Sequence, residues 1–467
     1  MSDRSLTDGS VTRAVLAVSA PMTLGILGVI AVGLADAYFL GRVGRTELAA
    51  VGYIYPVTVA VTSLSIGLSA GANAALSQAI GRGDGDDPAL RIGLHALALG
   101  GALGVAVGVL LWVVQAPLFA LIGAGEAVAP EIAAYVLWWA VSFPFLVTSM
   151  LVGAMFRARG DGITAAVVMG MQALGNIALD PVLIYGLGPV PQMSTGGAGL
   201  ATCLVRIGAT VGGLAWAWHK GLLGPCRAPL KGMAASVRRI GEVGLPASLS
   251  NAINPAGMAL VTAAVATLGE SAVAGFGAAT RVQTLALVPL LALSSGVGPV
   301  VGQNWGAGRT DRARRAVRVT FLMCAGYGAA VALVLLTLAG PIAAAIASGP
   351  QDAAIAATYL RIVGLSLFGY GVVVTANAAM NARSRALWSM GLSLGRIFAL
   401  YLPLAWLLLG PLGFAGIAIA AAAANTGAAL AALWATVRTG LTPFGRRTAL
   451  GARAAAVSPG AAGPGAP

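Results

Sequence analysis

Twelve apolar stretches follow one another along the 467 residues with only short polar breaks, and each exceeds the roughly 20 residues that cross a bilayer as a helix. They lie near 14–40, 47–80, 92–122, 130–156, 162–187, 196–218, 240–266, 271–305, 316–347, 354–381, 387–410 and 413–437. The sequence therefore predicts an all-α membrane protein of twelve transmembrane helices. Its 9% of charged residues, against about 25% in soluble domains, agrees with that class. The 65 glycines suit close helix–helix approach in lipid. Interior prolines (Pro21, Pro144, Pro181, Pro246, Pro289) predict kinks.

The net charge of +13 raises the question of nucleic acid, and the distribution of the positives answers it. They cluster between spans, as in "RRIGE" (238–242) and "GRTDRARRAVR" (308–318), without the interleaved aromatics of a strand-binding groove. With both termini on one side, that side collects 22 of the 28 Lys and Arg; the opposite loops hold Arg42 and Arg45, and four arginines lie in or near spans. The positive-inside rule then places both termini in the cytoplasm of a cell-membrane (inner-membrane) protein. Cys203, Cys226 and Cys324 are too widely spaced for a metal signature, and His95 and His219 alone build no typical zinc site. The N-terminus has no cleavage-site pattern before its first span, which reads as a retained helix. "QxxGxG" at 78–83 lacks the strand and lysine of a phosphate cradle, so ATP-driven pumping is not expected.

The chain repeats itself. Sliding the second half on the first by 225 residues sets Pro21 on Pro246, Gly44 on Gly269, Gly71 on Gly296, and "QAIGRG" (78–83) on "QNWGAG" (303–308). A shift of 224 sets Tyr135 on Tyr359 and the "AR" at 158–159 on that at 382–383. Six spans per half is an even number, so the halves are parallel repeats, an architecture of alternating-access transporters. The division reads as an N-terminal cytoplasmic segment (1–13), an N-lobe (14–219), a cytoplasmic linker (220–239), a C-lobe (240–437) and a low-complexity, disordered cytoplasmic tail (438–467).

Of 15 acidic residues only Asp36 and Asp180 lie well inside spans. A carboxylate at the bilayer centre costs about 2.5–3.5 kcal/mol on insertion scales, so an intramembrane acid is a functional candidate by default. The repeat sharpens the point, because Asp36 falls on Val261 and Asp180 on Leu400 or Tyr401. A packing role would not explain acids confined to one half. The competing structural reading is a buried ion pair with Arg206, Arg281 or Arg396. Asn176 and Asp180 share one helix face at i, i+4, and Pro181 frees a carbonyl one turn earlier. That patch suits Na⁺ coordination or a shared proton, although Asn176 also serves as plain interhelical glue and Thr202 as a hydroxyl bonded to its own backbone.

These residues, in "LADAYFLGRVG", "GANAALSQAIGRGD", "GNIALDPVLIYGLG", "GLPASLS" and "VGQNWGAGR", resemble the multidrug and toxic compound extrusion (MATE) family over about residues 14–437. The resemblance implies two six-helix lobes around a central cavity and no enzymatic activity. It implies export of drug-like, often cationic, small molecules against inward H⁺ or Na⁺, with no cofactor. In its DinF-like branch a polar network surrounds the first-helix acid, here Asp36, with Asn176, Asp180, Thr202 and Tyr135 at matching positions. These are the expected coupling residues; the first four form the candidate Na⁺ site. The carboxylates of the NorM-like branch fall here on Asn254 and Gly371, so that C-lobe site looks absent. Tyr38, Trp139, Met169 and Met171 are candidates for an adaptable substrate cavity, with plain packing as the alternative. A monomer in the bilayer is expected. The alternative function is a flippase for lipid-linked oligosaccharides, which needs cavity cations; Arg206, Arg281 and Arg396 read as flanking or interface residues.

Overall fold

The computed structural model describes residues 6–444, so the tail beyond 444 lies outside the described residues. Among these, all regular structure is helical. The N-terminal bundle contains α1 (Val11–Val43), α2 (Arg45–Arg82), α3 (Asp86–Leu121), α4 (Ala129–Ala158), α5 (Gly162–Tyr185) and α6 (Ser194–His219). A short connection leads to α7 (Met233–Ala266), which begins seven residues before the predicted span, and then to α8 (Glu270–Gly306) and α9 (Thr310–Ile346). The second bundle is completed by α10 (Pro350–Gly364), α11 (Leu367–Ala382), α12 (Ala386–Leu394), a π-helical turn (Gly395–Tyr401) and α13 (Leu402–Arg438).

Local chemistry sets these boundaries. Ser10 caps α1 by accepting from the Arg13 N–H, and Asp161 caps α5 by accepting from the Thr164 N–H at 3.0 Å. Two irregularities interrupt the C-lobe. The predicted span 354–381 is broken at Leu365 and Ser366, where α10 and α11 meet at a 56° bend. Residues 386–438 form a 53-residue helical stretch, far longer than one bilayer crossing, and reverse at Gly413 (φ +55°) so that Gly416 packs on the Leu408 backbone. Counting α10–α11 as one span and the last stretch as two gives the predicted twelve.

The lobes meet along α1, α2, α7 and α8, on the half of the molecule that carries the basic loops. Among the described residues, every hydrogen bond from one helical lobe to the other lies in this half or at mid-depth. Gln78 Nε2 donates to the Ala382 carbonyl at 2.6 Å, and Gln303 Nε2 to the Ala158 carbonyl at 2.7 Å. Ser248 Oγ donates to the Leu64 carbonyl. The segment before α1 crosses to the other lobe: Leu6 N–H donates to Gln303 Oε1, and Asn304 Nδ2 donates to the Leu6 carbonyl, each at 3.1 Å. Apolar packing follows the same plan, with Leu6, Val11, Val15 and Val18 buried against Val297, Val300 and Val301.

Candidate functional site

The acidic pair is built by α1 and α5, which pack along each other; Met169 of α5 fits over Gly25 of α1. Asp36 is half-buried and Asp180 has no accessible surface. Their carboxyl groups lie within hydrogen-bonding reach of each other. One oxygen of each, Oδ1, is buried without any hydrogen-bond partner. Two carboxylates at this separation cannot both stay charged and unmatched.

Asn176 and Thr202 complete one side of this site. With its NH2 turned to Asp180, Asn176 donates to Oδ2 at 3.2 Å, and its oxygen accepts from the Thr202 hydroxyl and backbone N–H, both at 3.2 Å. The reverse orientation aims the amide oxygen at a carboxylate and loses those bonds. The Tyr135 hydroxyl lies within reach of Thr202. The five expected coupling residues therefore sit together, four helices (α1, α4, α5, α6) contributing at least one each. With the Asn176 oxygen engaged by Thr202, the groups left facing the acids are the two carboxyls themselves, hard oxygen donors with one unpartnered oxygen each.

Among the described residues neither acid makes an ion pair with an arginine. Arg281 is exposed. Arg206 lies inside the N-lobe rather than at a helix flank; Nη1 donates to Ser142 Oγ at 2.7 Å, and the guanidinium covers the Trp139 ring at 5.3 Å. It is near enough to interact electrostatically with Asp36 but is tethered elsewhere. Sequence reasoning names Arg206 as a candidate ion-pair partner but sets it at a helix flank or interface, although its place twelve positions into an uninterrupted span is a visible signal of depth.

Exposure separates the four substrate-cavity candidates. Trp139 is buried at 2% exposure, stacked on Phe143 beneath Arg206, and Met169 packs on α1. Tyr38 is exposed beneath Arg42, and Met171 is exposed on α5. Asn254 has no carboxylate beside it, since Glu242 lies twelve residues earlier on α7 and Glu270, Asp311 and Asp352 lie in the first turns of α8, α9 and α10. Asn254 Oδ1 instead accepts from Arg396, a residue buried inside the C-lobe.

Two pseudo-symmetric six-helix lobes, joined at one end, with an unpaired acidic couple inside one of them, define a multi-pass membrane transporter rather than an enzyme. The chain belongs to the MatE family, whose model matches residues 21–182 and again 246–407, an interval that reproduces the internal repeat. It is 33% identical over 408 residues to a protein of Shewanella oneidensis named FAD transporter, covering 87% of this chain and 90% of that one. It is 26% identical over 393 residues to a Thermotoga maritima protein named probable multidrug resistance protein NorM, covering 80% and 81%. In structure it resembles the Vibrio cholerae MATE transporter VcmN in its bent form, with a TM-score of 0.87, 26% identity, and 93% and 98% of the two chains covered.

Proposed function

We propose that the protein is a cation-coupled antiporter that exports amphipathic small molecules across the cell membrane, with both termini cytoplasmic. The observation that carries this reading is the Asp36–Asp180 couple. It is buried in one lobe, has two unpartnered oxygens, and has apolar or phenolic residues at the equivalent C-lobe positions. With the basic face cytoplasmic, the inter-lobe bonds close the inner side, as in an outward-facing state. H⁺ or Na⁺ then enters from outside and neutralises the couple; Asn176, Thr202 and Tyr135 supply the surrounding hydrogen bonds. The first helix, kinked at Pro21, repacks on α5 and cargo is released. Ion and cargo must differ in affinity between the two states for this to couple. Each inward charge gains about 2.3 kcal/mol per 100 mV, and a tenfold cargo gradient needs about 1.4 kcal/mol, so one ion per neutral cargo suffices.

A second reading concerns the cargo. The first takes drug-like, often cationic compounds. The 33% identity to a protein named FAD transporter, over almost the whole of both chains, favours an aromatic organic anion. A lipid-linked oligosaccharide is the third cargo to test. The decisive experiment is efflux from proteoliposomes under separately imposed proton and sodium gradients, with ethidium, FAD and a lipid-linked sugar as alternative cargoes. Flux that ignores both gradients would sink the coupling scheme whichever cargo moves.

A further inference from the structure

The C-lobe has its own buried polar cluster, and its charge is the reverse of the N-lobe's. Arg396 stands on the π-helical turn at 8% exposure. Nη2 donates to Asn254 Oδ1, Nη1 donates to Asn425 Oδ1 at 3.3 Å, and the guanidinium covers the Tyr370 ring at 5.2 Å. Asn425 Nδ2 in turn donates at 3.1 Å to Ser366 Oγ, at the break where α11 begins. Among the described residues no carboxylate pairs with Arg396.

Pseudo-symmetry gives this cluster its meaning. With Gly395 set on Gly175, Arg396 falls on Asn176 of the coupling site. Ser366 stands 224 residues after Ser142, and each accepts from its lobe's last span, Ser142 from Arg206 and Ser366 from Asn425. The two clusters occupy equivalent places, yet one holds two acids and the other a cation with neutral neighbours. Buried charges are ordinarily paired, so a guanidinium surrounded by amide oxygens and the neutral phenols of Tyr359, Tyr370 and Tyr401 is short of an anion. The surroundings add donors: Asn254 gives its oxygen to Arg396, which leaves its NH2 free to donate, and α11 points its positive end at Ser366. Asn254 and Tyr370 are only half-buried, so the cluster is not sealed into the core. A π-helical turn and a broken helix are linked through Asn425, and such irregularities gather at functional sites.

We infer that Arg396, with Asn254, Asn425 and the start of α11, forms an oxyanion subsite that takes the diphosphate group of an exported organic anion. The planar guanidinium fork matches phosphate oxygens two at a time, while the half-buried Tyr370 offers an aromatic edge beside it. The inference rests on the organic-anion reading above, and two sources share the chemistry: a soluble dinucleotide and a lipid-linked sugar diphosphate.

The test is binding to the purified full chain in lipid nanodiscs, read by flavin fluorescence, with FAD, riboflavin (the same ring without phosphate) and inorganic pyrophosphate as probes. FAD is expected to bind at least tenfold more tightly than riboflavin, with pyrophosphate displacing it. Arg396→Gln erases that ratio, and Arg396→Lys, which keeps charge but not the fork, restores part of it. A lipid-linked sugar diphosphate competing where FAD does not bind still supports the subsite and assigns the lipid source. Equal binding of FAD and riboflavin together with no competition by either diphosphate overturns it, as does an unchanged ratio in Arg396→Gln. Should that variant not fold, displacement by diphosphates on the wild-type chain decides alone. Binding is measured without ion gradients, so failure of the coupling scheme leaves this result readable.

Discussion

Gln78 and Gln303 stand 225 residues apart and make the same bond from opposite lobes, each donating from Nε2 to the carbonyl of the alanine that ends or nearly ends a helix across the interface, Ala382 and Ala158. The repeat extends to the glycines that admit them: a Cβ on Gly81 would strike the Gln303 backbone, and one on Gly306 the Gln78 backbone. Gln78 also donates to Ser384 Oγ at 3.1 Å, and Gln303 Oε1 accepts from Leu6 N–H. The closed inner face is thus held by one motif used twice.

Each such bond contributes about 1 kcal/mol net. Replacing both glutamines by alanine is expected to shift the equilibrium between closed and open inner faces by about tenfold or more. The readout is alkylation of Ser77→Cys, placed in a background without the three native cysteines, because Ser77 is buried against Gly302 in the closed arrangement. Unchanged alkylation in the double variant would show that these bonds do not hold the face shut.

The coupling pair gives a sharper test. Asp36→Asn removes a charge and keeps the shape, so the fold is expected to survive while gradient-driven efflux is lost. Asp180→Asn is expected to do the same, and the double variant to be no worse than either single one, because the two carboxyls act as one titrating unit. Near-normal efflux by Asp36→Asn, measured beside an unchanged melting temperature, would refute the assignment.

Much of this was legible in the sequence for a physical reason: lipid leaves the backbone only a few options, and hydropathy reports them directly. The spans, the repeat and the two intramembrane acids could be read from hydropathy, spacing and the cost of charge in oil. The shared face of Asn176 and Asp180 could be read from their i, i+4 spacing, whereas the grouping of Thr202 and Tyr135 with them came from the family resemblance. The break at Ser366 and the π-helical turn at Gly395–Tyr401 could not be read in either way. Both are small changes of helical register inside apolar runs. Pro403 takes away the donor for a carbonyl of the π-helical turn, and the hydrogen bonds of Arg396 and Asn425 across helices, which spacing does not reveal, accompany both irregularities. The depth of Arg206 and Arg396 was missed because an arginine's long stem lets it sit at a helix flank as easily as inside a bundle. Their hydroxyl and amide partners, distant in sequence, decide between the two.

Gly81→Val places branched carbon atoms where the Gln303 backbone now passes. Neither backbone can yield as a flexible side chain would, so the closed inner face is expected to lose about 1–3 kcal/mol, as for other overpacked contacts. Gly306→Val should match it, since the repeat gives it the mirror contact with Gln78. Spin-label distances between the inner ends of α2 and α8 are expected to lengthen in both variants. A change in one and not the other would break the claim that the two contacts are equivalent.

The segment before α1 works as a strap across the same face. Leu6 is 3% exposed, packed with C-lobe valines, while its N–H and carbonyl are both held by Gln303 and Asn304. Arg309 donates to the Thr7 carbonyl at 2.6 Å, and Arg312 donates to the Asp8 and Gly9 carbonyls at 2.7 Å each, so the strap's backbone is fixed by the other lobe's charges. The Arg309–Asp8 ion pair is exposed and adds at most about 1 kcal/mol. The buried leucine carries more: truncating such a side chain to alanine costs about 2–5 kcal/mol, with the lower end expected at a segment free to relax. Leu6→Ala should therefore speed amide exchange over residues 6–10 and raise alkylation of the Ser77→Cys probe. Arg309→Ala should change either only slightly. If the arginine variant proves the more damaging, charge rather than apolar burial holds the strap, and the inner face closes by a different balance of forces.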